Sequence, residues 1–186
     1  MAQRFKKRVK SQASKRVSKK LPQRGVQPSV QEKTGKLSLP EKAFLSFFGM
    51  GYSKKMPGTM GSFLATLTLP FLLYTKMLPI VVIALFIVGW TLSARAVRVL
   101  KKEDPQFIVI DEVVGIGVTL MIAPYATLFN LILVFAFFRL FDIAKPYPVS
   151  FADKKLGGGF GIMMDDVVAG AYAGAAIQVL YYFLSV

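Results

Sequence analysis

The sequence predicts an all-α protein: a polytopic membrane bundle of about four to five apolar helices behind a disordered basic tail. Three observations carry that expectation. Of the 186 residues, 54% are hydrophobic, more than a soluble chain of one-domain size usually holds. From Ser62 onward the apolar residues gather into blocks with few interior charges, in the length class of bilayer-crossing helices. The charge gathers elsewhere. Residues 1–42 hold 13 Lys and Arg against Glu32 and Glu41, which leaves 11 basic and 8 acidic residues for the rest of the chain.

The tail comes first. A basic, Ser- and Gln-containing stretch with almost no aromatic residues cannot bury enough surface to fold alone, so residues 1–42 read as disordered and residues 43–186 as the helical domain. Because a membrane domain follows directly, the expected partner of the tail is anionic lipid, attracted at roughly 1 kcal/mol per basic residue near the surface; no nucleic acid is expected. Met1 to Leu21 lacks the apolar core of a secretory signal, so no cleavage for export is expected, and an organellar address is the alternative to a bacterial one. The chain contains neither Cys nor His, which excludes disulfides, thiolate nucleophiles and zinc sites built on those ligands.

Five apolar segments follow: Ser62 to Tyr74, Leu78 to Ala94, Phe107 to Ala123, Ala126 to Phe141, and Val167 to Leu184. Pro70 and Pro79 make the first two a bent hairpin, because proline breaks the hydrogen-bond ladder of a helix interior. With the tail and Lys54-Lys55 in the cytoplasm, alternation returns Arg95 to Lys102 and Lys145 to Lys155 to the same side, and the opposite loops carry a single charge, Lys76. The N-terminus is then inside and the C-terminus outside. The polar stretches 49–62, 103–112, 139–148 and 157–166 all fall at the cytoplasmic ends of helices, where they can converge on one site.

That site would be acidic. Asp111 and Glu112 interrupt an apolar run, Asp142 closes another, and Asp165-Asp166 opens the last helix. Ionisable residues in or beside a span are costly and mark function. Without His or Cys, such a cluster suits oxygen ligation of a hard divalent cation, Mg²⁺ or Mn²⁺; the plainer reading is that these acids pair with Arg139 or Lys145, or cap helices. Gly115 follows Asp111, and Gly170 and Gly174 follow Asp166, at a spacing that lets helix backbones touch. The glycine-rich segment Gly49 to Ser62, with Lys54, Lys55, Thr59 and Ser62, runs into a helix whose first amides could attract phosphate, although it lacks the order of a nucleotide-binding P-loop. Arg139 and Asp142 stand three apart on one helix face with Lys145 just beyond, and the Arg fork and the ammonium suit a phosphate.

Taken in order, four stretches resemble the phosphatidylglycerophosphatase A family: Pro57-Gly-Thr-Met-Gly-Ser62; Asp111-Glu-Val-Val-Gly115; Phe138-Arg-Leu-Phe-Asp142 with Lys145-Pro-Tyr-Pro148; and Gly158-Gly-Phe-Gly-Ile-Met-Met-Asp-Asp166 with Ala169-Gly170. The similarity spans about residues 44–182 and departs from the family at Ser53-Lys-Lys-Met56 and in the long basic tail. The resemblance implies a multi-pass phosphatase of the bacterial inner membrane, with its active site on the cytoplasmic face. It would convert phosphatidylglycerophosphate to phosphatidylglycerol with Mg²⁺. On that reading Asp111, Glu112, Asp165 and Asp166 hold one or two ions, Asp142 joins the catalytic acids, and Lys54, Lys55, Thr59, Ser62, Arg139 and Lys145 bind the phosphate. The rival is a small cation transporter or channel, whose carboxylates would spread through the bilayer depth. Oligomeric state has no signal in the sequence.

Overall fold

The computed structural model describes residues 35–147 and 157–184. The rest of the basic tail, Pro148 and the basic pair Lys154-Lys155 lie outside the described residues. In chain order the elements are α1 (Leu39–Leu45), a 3-10 turn (Met50–Tyr52), α2 (Pro57–Thr68), α3 (Phe71–Tyr74), α4 (Leu78–Leu100), α5 (Ile110–Ile122), α6 (Leu128–Ala144) and α7 (Gly158–Leu184). No strand occurs among the described residues. The fold is all-helical, as the sequence predicts.

Two of these helices, α4 with 23 residues and α7 with 27, are long and apolar enough to cross a membrane; the sequence predicts four to five crossings. At about 1.5 Å per residue a 30 Å hydrocarbon core takes some 20 residues, and α2, α5 and α6 have 12, 13 and 17. The shortfall has local causes. The segment expected to start at Phe107 stays non-helical until Ile110, because Val109 N–H is drawn to Leu45 O at 2.9 Å and the Phe107 ring stacks on Tyr52. The segment from Ser62 instead starts early, at Pro57, and breaks at Leu69–Pro70 into α2 and α3, so the bend falls at Pro70 while Pro79 sits harmlessly in the first turn of α4.

Residues 35–42, expected to belong to the disordered tail, are folded. Ser38 caps α1, accepting from Glu41 N–H while the Glu41 carboxylate takes the Ser38 N–H at 2.7 Å and its hydroxyl at 2.8 Å, a reciprocal capping box. Those bonds from Ser38, helped by the nearby Arg95 cation, hold the Glu41 carboxyl below its ordinary range. Leu37 and Leu45 are buried, and Arg95 of α4 meets Glu41 at 3.1 Å.

The core is built on α5 and α7. α5 packs most extensively against α7, which also touches α4 and α6. Small residues make the approach close: a Cβ on Gly170 would stand 2.3 Å from Gly115 O. Thr119 of α5 donates to both Gly115 O (2.9 Å) and Gly170 O (3.1 Å), closing the seam. Gly170→Ala is therefore expected to force two backbones apart and cost about 1–3 kcal/mol of stability, read as a lowered unfolding midpoint in detergent. At the opposite end of the bundle, Asn130 of α6 donates to Ala123 O and Tyr125 O and accepts from Tyr181 OH of α7 at 2.9 Å, while Gln178 of α7 donates to Ile122 O. This polar tie sets one level shared by the end of α5, the start of α6 and the end of α7.

The outer faces are apolar. On α4, Ile80, Ile83 and Ile87 are 62%, 57% and 52% exposed, and Leu128, Ile132, Leu140 and Ile143 stand out from α6. Such faces suit hydrocarbon rather than water.

Candidate active site

At the end of the bundle away from the Asn130 tie, the start of α2, the loop between α4 and α5, the start of α5, the end of α6 and the start of α7 enclose a cavity of about 960 Å³. Each acid arrives there by a different route. Asp111 and Glu112 occupy the first turn of α5, whose non-helical lead-in is pinned to α1 through Leu45. Asp142 lies in the last turn of α6. Asp165 and Asp166 do not open the last helix, as expected from the sequence, but lie in its third turn, because α7 starts at Gly158 rather than Val167. Gly157 and Gly158 turn the chain into α7 at φ +50° and +61°, and Gly159 then lets the new helix lie on α4, where a Cβ would fall 2.1 Å from Ala94 N. An interior position rules out a capping role for both acids.

One oxygen from each of Asp111, Glu112 and Asp166 falls within 4.8 Å of the others. Three carboxylates so close, with Asp166 buried, repel one another strongly in a medium poorer in water than the surface. Glu112 Oε2 is buried and has no hydrogen-bond partner. Asp165, which the sequence reading puts among the metal ligands, accepts at Oδ2 from Lys145 Nζ at 2.9 Å. Lys145 ends α6 in the left-handed conformation, φ +41°, a strained posture for a residue with a long side chain. Asp142 accepts from Arg139 at 2.6 Å, the pairing that their three-residue spacing allows.

Lys54 and Lys55 are exposed at the rim of the cavity. Thr59 and Ser62 are not among its lining residues: both fall inside helix α2, and Ser62 is buried with its hydroxyl donated to Gly58 O at 2.8 Å. Sequence reasoning missed three contributors. Gly58 allows Glu112 and Arg139 to lie against α2, since a Cβ there would meet Glu112 Oε1 at 2.0 Å and Arg139 at 3.3 Å. Glu103 and Asp104 line the mouth, at the head of the 103–112 stretch that the sequence brings to this end of the bundle without marking either acid as a site residue.

Counted together, the lining carries seven acids (Glu103, Asp104, Asp111, Glu112, Asp142, Asp165, Asp166) against four cations (Lys54, Lys55, Arg139, Lys145). Every described acid other than Glu41 lies in this one cavity, and none lies in the far half of the bundle. The channel reading, which needs carboxylates through the depth of a pore, finds no support in that distribution.

Fold and cavity together define a class, an all-helical protein with carboxylates, lysines and an arginine gathered in a cavity at one end. More narrowly, the chain belongs to the phosphatidylglycerophosphatase A family, whose model matches residues 43–181. It is 36% identical over 140 residues to phosphatidylglycerophosphatase A of Haemophilus influenzae, covering 74% of this chain and 86% of that one. The Escherichia coli phosphatidylglycerophosphatase A is 34% identical over 152 residues, with 79% and 85% covered. A Bacteroides thetaiotaomicron protein provisionally named a phosphatidylinositol-3-phosphatase is 38% identical over 140 residues, with 71% and 87% covered. No solved structure matches the chain.

Proposed function

We propose that this protein hydrolyses phosphatidylglycerophosphate to phosphatidylglycerol and phosphate, using a divalent cation, Mg²⁺ or Mn²⁺, held by Asp111, Glu112 and Asp166. The observation that carries this reading is the convergence of that carboxylate trio with Arg139 and Lys145 in one cavity of a family named for the reaction. The donor set fits such an ion: it offers only carboxylate oxygens, as a hard cation prefers, and the buried Glu112 Oε2 lacks any other partner. Charge argues the same way. With its acids ionised, a cavity of seven acids and four cations would repel a phosphomonoester bearing up to two negative charges unless bound cations reverse the balance. Bound there, the cation would polarise the phosphoryl group and favour an ionised water.

The remaining roles fall to the chain itself. Arg139, steadied by Asp142, and Lys145, steadied by Asp165, donate to the phosphoryl oxygens as charge spreads over them. Lys54 and Lys55 draw the headgroup to the rim. Water supplies the oxygen that joins phosphorus, the phosphorus–oxygen bond to the glycerol breaks, and the glycerol oxygen leaves carrying a proton.

The placement proposed is multi-pass in the bacterial inner membrane, with the cavity at the cytoplasmic face. α5 leaves the cavity end and α6 returns from the Asn130 tie, so both run between the same two levels as the stretch of α7 from Asp165 to Tyr181. Lys54, Lys55, Arg95, Arg98, Lys101, Lys102 and Lys145 belong to the cavity end, whereas Lys76 stands alone between α3 and α4. Attraction of residues 1–42 to anionic lipid belongs to the same proposal.

The test is phosphate release from phosphatidylglycerophosphate in detergent micelles by purified protein, with Mg²⁺ and with excess chelator. Release that falls by more than about 100-fold with chelator, and likewise in Asp111→Asn, is expected, since even residues behind metal ligands cost 10–100-fold when changed. Release indifferent to chelator would remove the cation from the proposal; no release from any lipid phosphomonoester would remove the reaction.

A further inference from the structure

The turn that joins α1 to the lysine-bearing rim holds three successive residues in the left-handed region: Phe47 at φ +43°, Phe48 at +57° and Gly49 at +96°. Only the glycine adopts that conformation freely; for two phenylalanines it is strained and persists only where surrounding bonds enforce it. Here they do. Phe48 N–H donates to Ala43 O at 2.8 Å, Gly49 N–H to Ser46 Oγ at 3.0 Å and Gly51 N–H to Ser46 O at 2.9 Å, while Gly51 lies so close to Phe107 O that a Cβ would overlap it. The result is a fixed tip on which Phe47 packs toward the core and Phe48 is 81% exposed. In the flanking sequence Leu39 (82%), Tyr52 (55%) and Met56 (58%) are also exposed, as are Lys54 and Lys55, while Lys42 is half-buried.

Exposed aromatic and aliphatic side chains alternating with lysines are what the boundary between headgroups and acyl chains of an anionic bilayer accepts. The level is right as well. Glu41 ties α1, the helix that leads into the tip, to Arg95, which lies about 8 Å along the axis from the end of a membrane-length helix. The tip is also coupled to the site, since Leu45 O accepts from Val109, two residues before Asp111.

We infer that the Phe47–Gly49 turn is an interfacial anchor that inserts Phe48 at the acyl boundary of an anionic bilayer and fixes the cavity mouth, through Leu45 and Val109, at headgroup depth. The inference rests on the membrane placement proposed above, but not on the reaction. It can be tested without turnover, because the chain has no cysteine and accepts a single spin label at a chosen position. Phe48→Cys, Leu39→Cys, Ile83→Cys and Lys102→Cys, each in the full chain, would be labelled and reconstituted in nanodiscs of mixed phosphatidylglycerol and phosphatidylethanolamine. The readout is accessibility to oxygen against a water-soluble nickel chelate. The labels at positions 48 and 39 are expected to give oxygen-to-nickel ratios several-fold above that at 102, approaching that at 83. Ratios at 48 and 39 equal to that at 102, with 83 in lipid, would overturn the anchor while leaving the membrane placement intact. An aqueous signal at 83 as well would overturn both. Should Phe48→Cys fail to fold, the Leu39→Cys ratio alone decides in the same sense.

Discussion

Asp166→Asn is expected to abolish phosphate release, by more than about 100-fold in kcat, and at the same time to leave the cation-free protein as stable as before or more so. The two effects have one cause. Asp166 is the most buried of three carboxylates whose oxygens crowd within 4.8 Å, and without a cation their mutual repulsion works against the fold. An amide of the same shape removes one of the repelling charges and one of the ligands together. The discriminating measurement is the shift in unfolding midpoint on adding Mg²⁺. A cation at 100 times its Kd stabilises the folded state by about 2.7 kcal/mol, so the wild type should gain several degrees while the variant gains little. A role in packing alone predicts the reverse pattern, with stability lost and the response to Mg²⁺ kept.

The acids were legible in the sequence because a carboxylate in an apolar run has few tolerable explanations, and Asp111, Glu112, Asp142, Asp165 and Asp166 all line the one cavity. The Arg139–Asp142 pair was legible from helical spacing. What the sequence withheld depends on tertiary contacts. Nothing local tells Asp165 from Asp166: one faces Lys145 across 2.9 Å and the other faces α5, and that choice is made by the rotation of α7, which the Gly115–Gly170 contact fixes. The glycine run from Gly157 to Gly161 reads as a loop by composition, yet it is helix from Gly158: Gly157 and Gly158 make the turn, and Gly159 is needed for contact with α4. The Gly49 to Ser62 segment does run into a helix, but α2 begins as early as Pro57, so Thr59 falls in its first turn and Ser62 beyond it, and neither lines the cavity. Residues 35–42 looked like tail by charge. Their order comes from two buried leucines and one ion pair, which a composition count cannot weigh.

Gly58→Ala provides the sharpest test of how the site is built, since it should separate activity from stability. In helix α2 an alanine is intrinsically better than glycine by up to about 1 kcal/mol. The added methyl meets no backbone: the atom in its way is Glu112 Oε1 at 2.0 Å, the end of a flexible side chain, with Arg139 next at 3.3 Å. The carboxylate can swing aside, so the unfolding midpoint should move by little. The displaced oxygen belongs to the trio, however, and a shift of about 1 Å in a ligand or a positioned charge costs on the order of 100-fold in rate. The expected result is therefore a fall of 10- to 100-fold in kcat, a weakened stabilisation by Mg²⁺ and near-wild-type thermal unfolding. Gly170→Ala supplies the contrast, because its methyl meets the backbone of Gly115 and nothing there can swing away. If Gly58→Ala kept full activity, Glu112 would not be held where the reaction needs it, and the ligand set would reduce to Asp111 and Asp166.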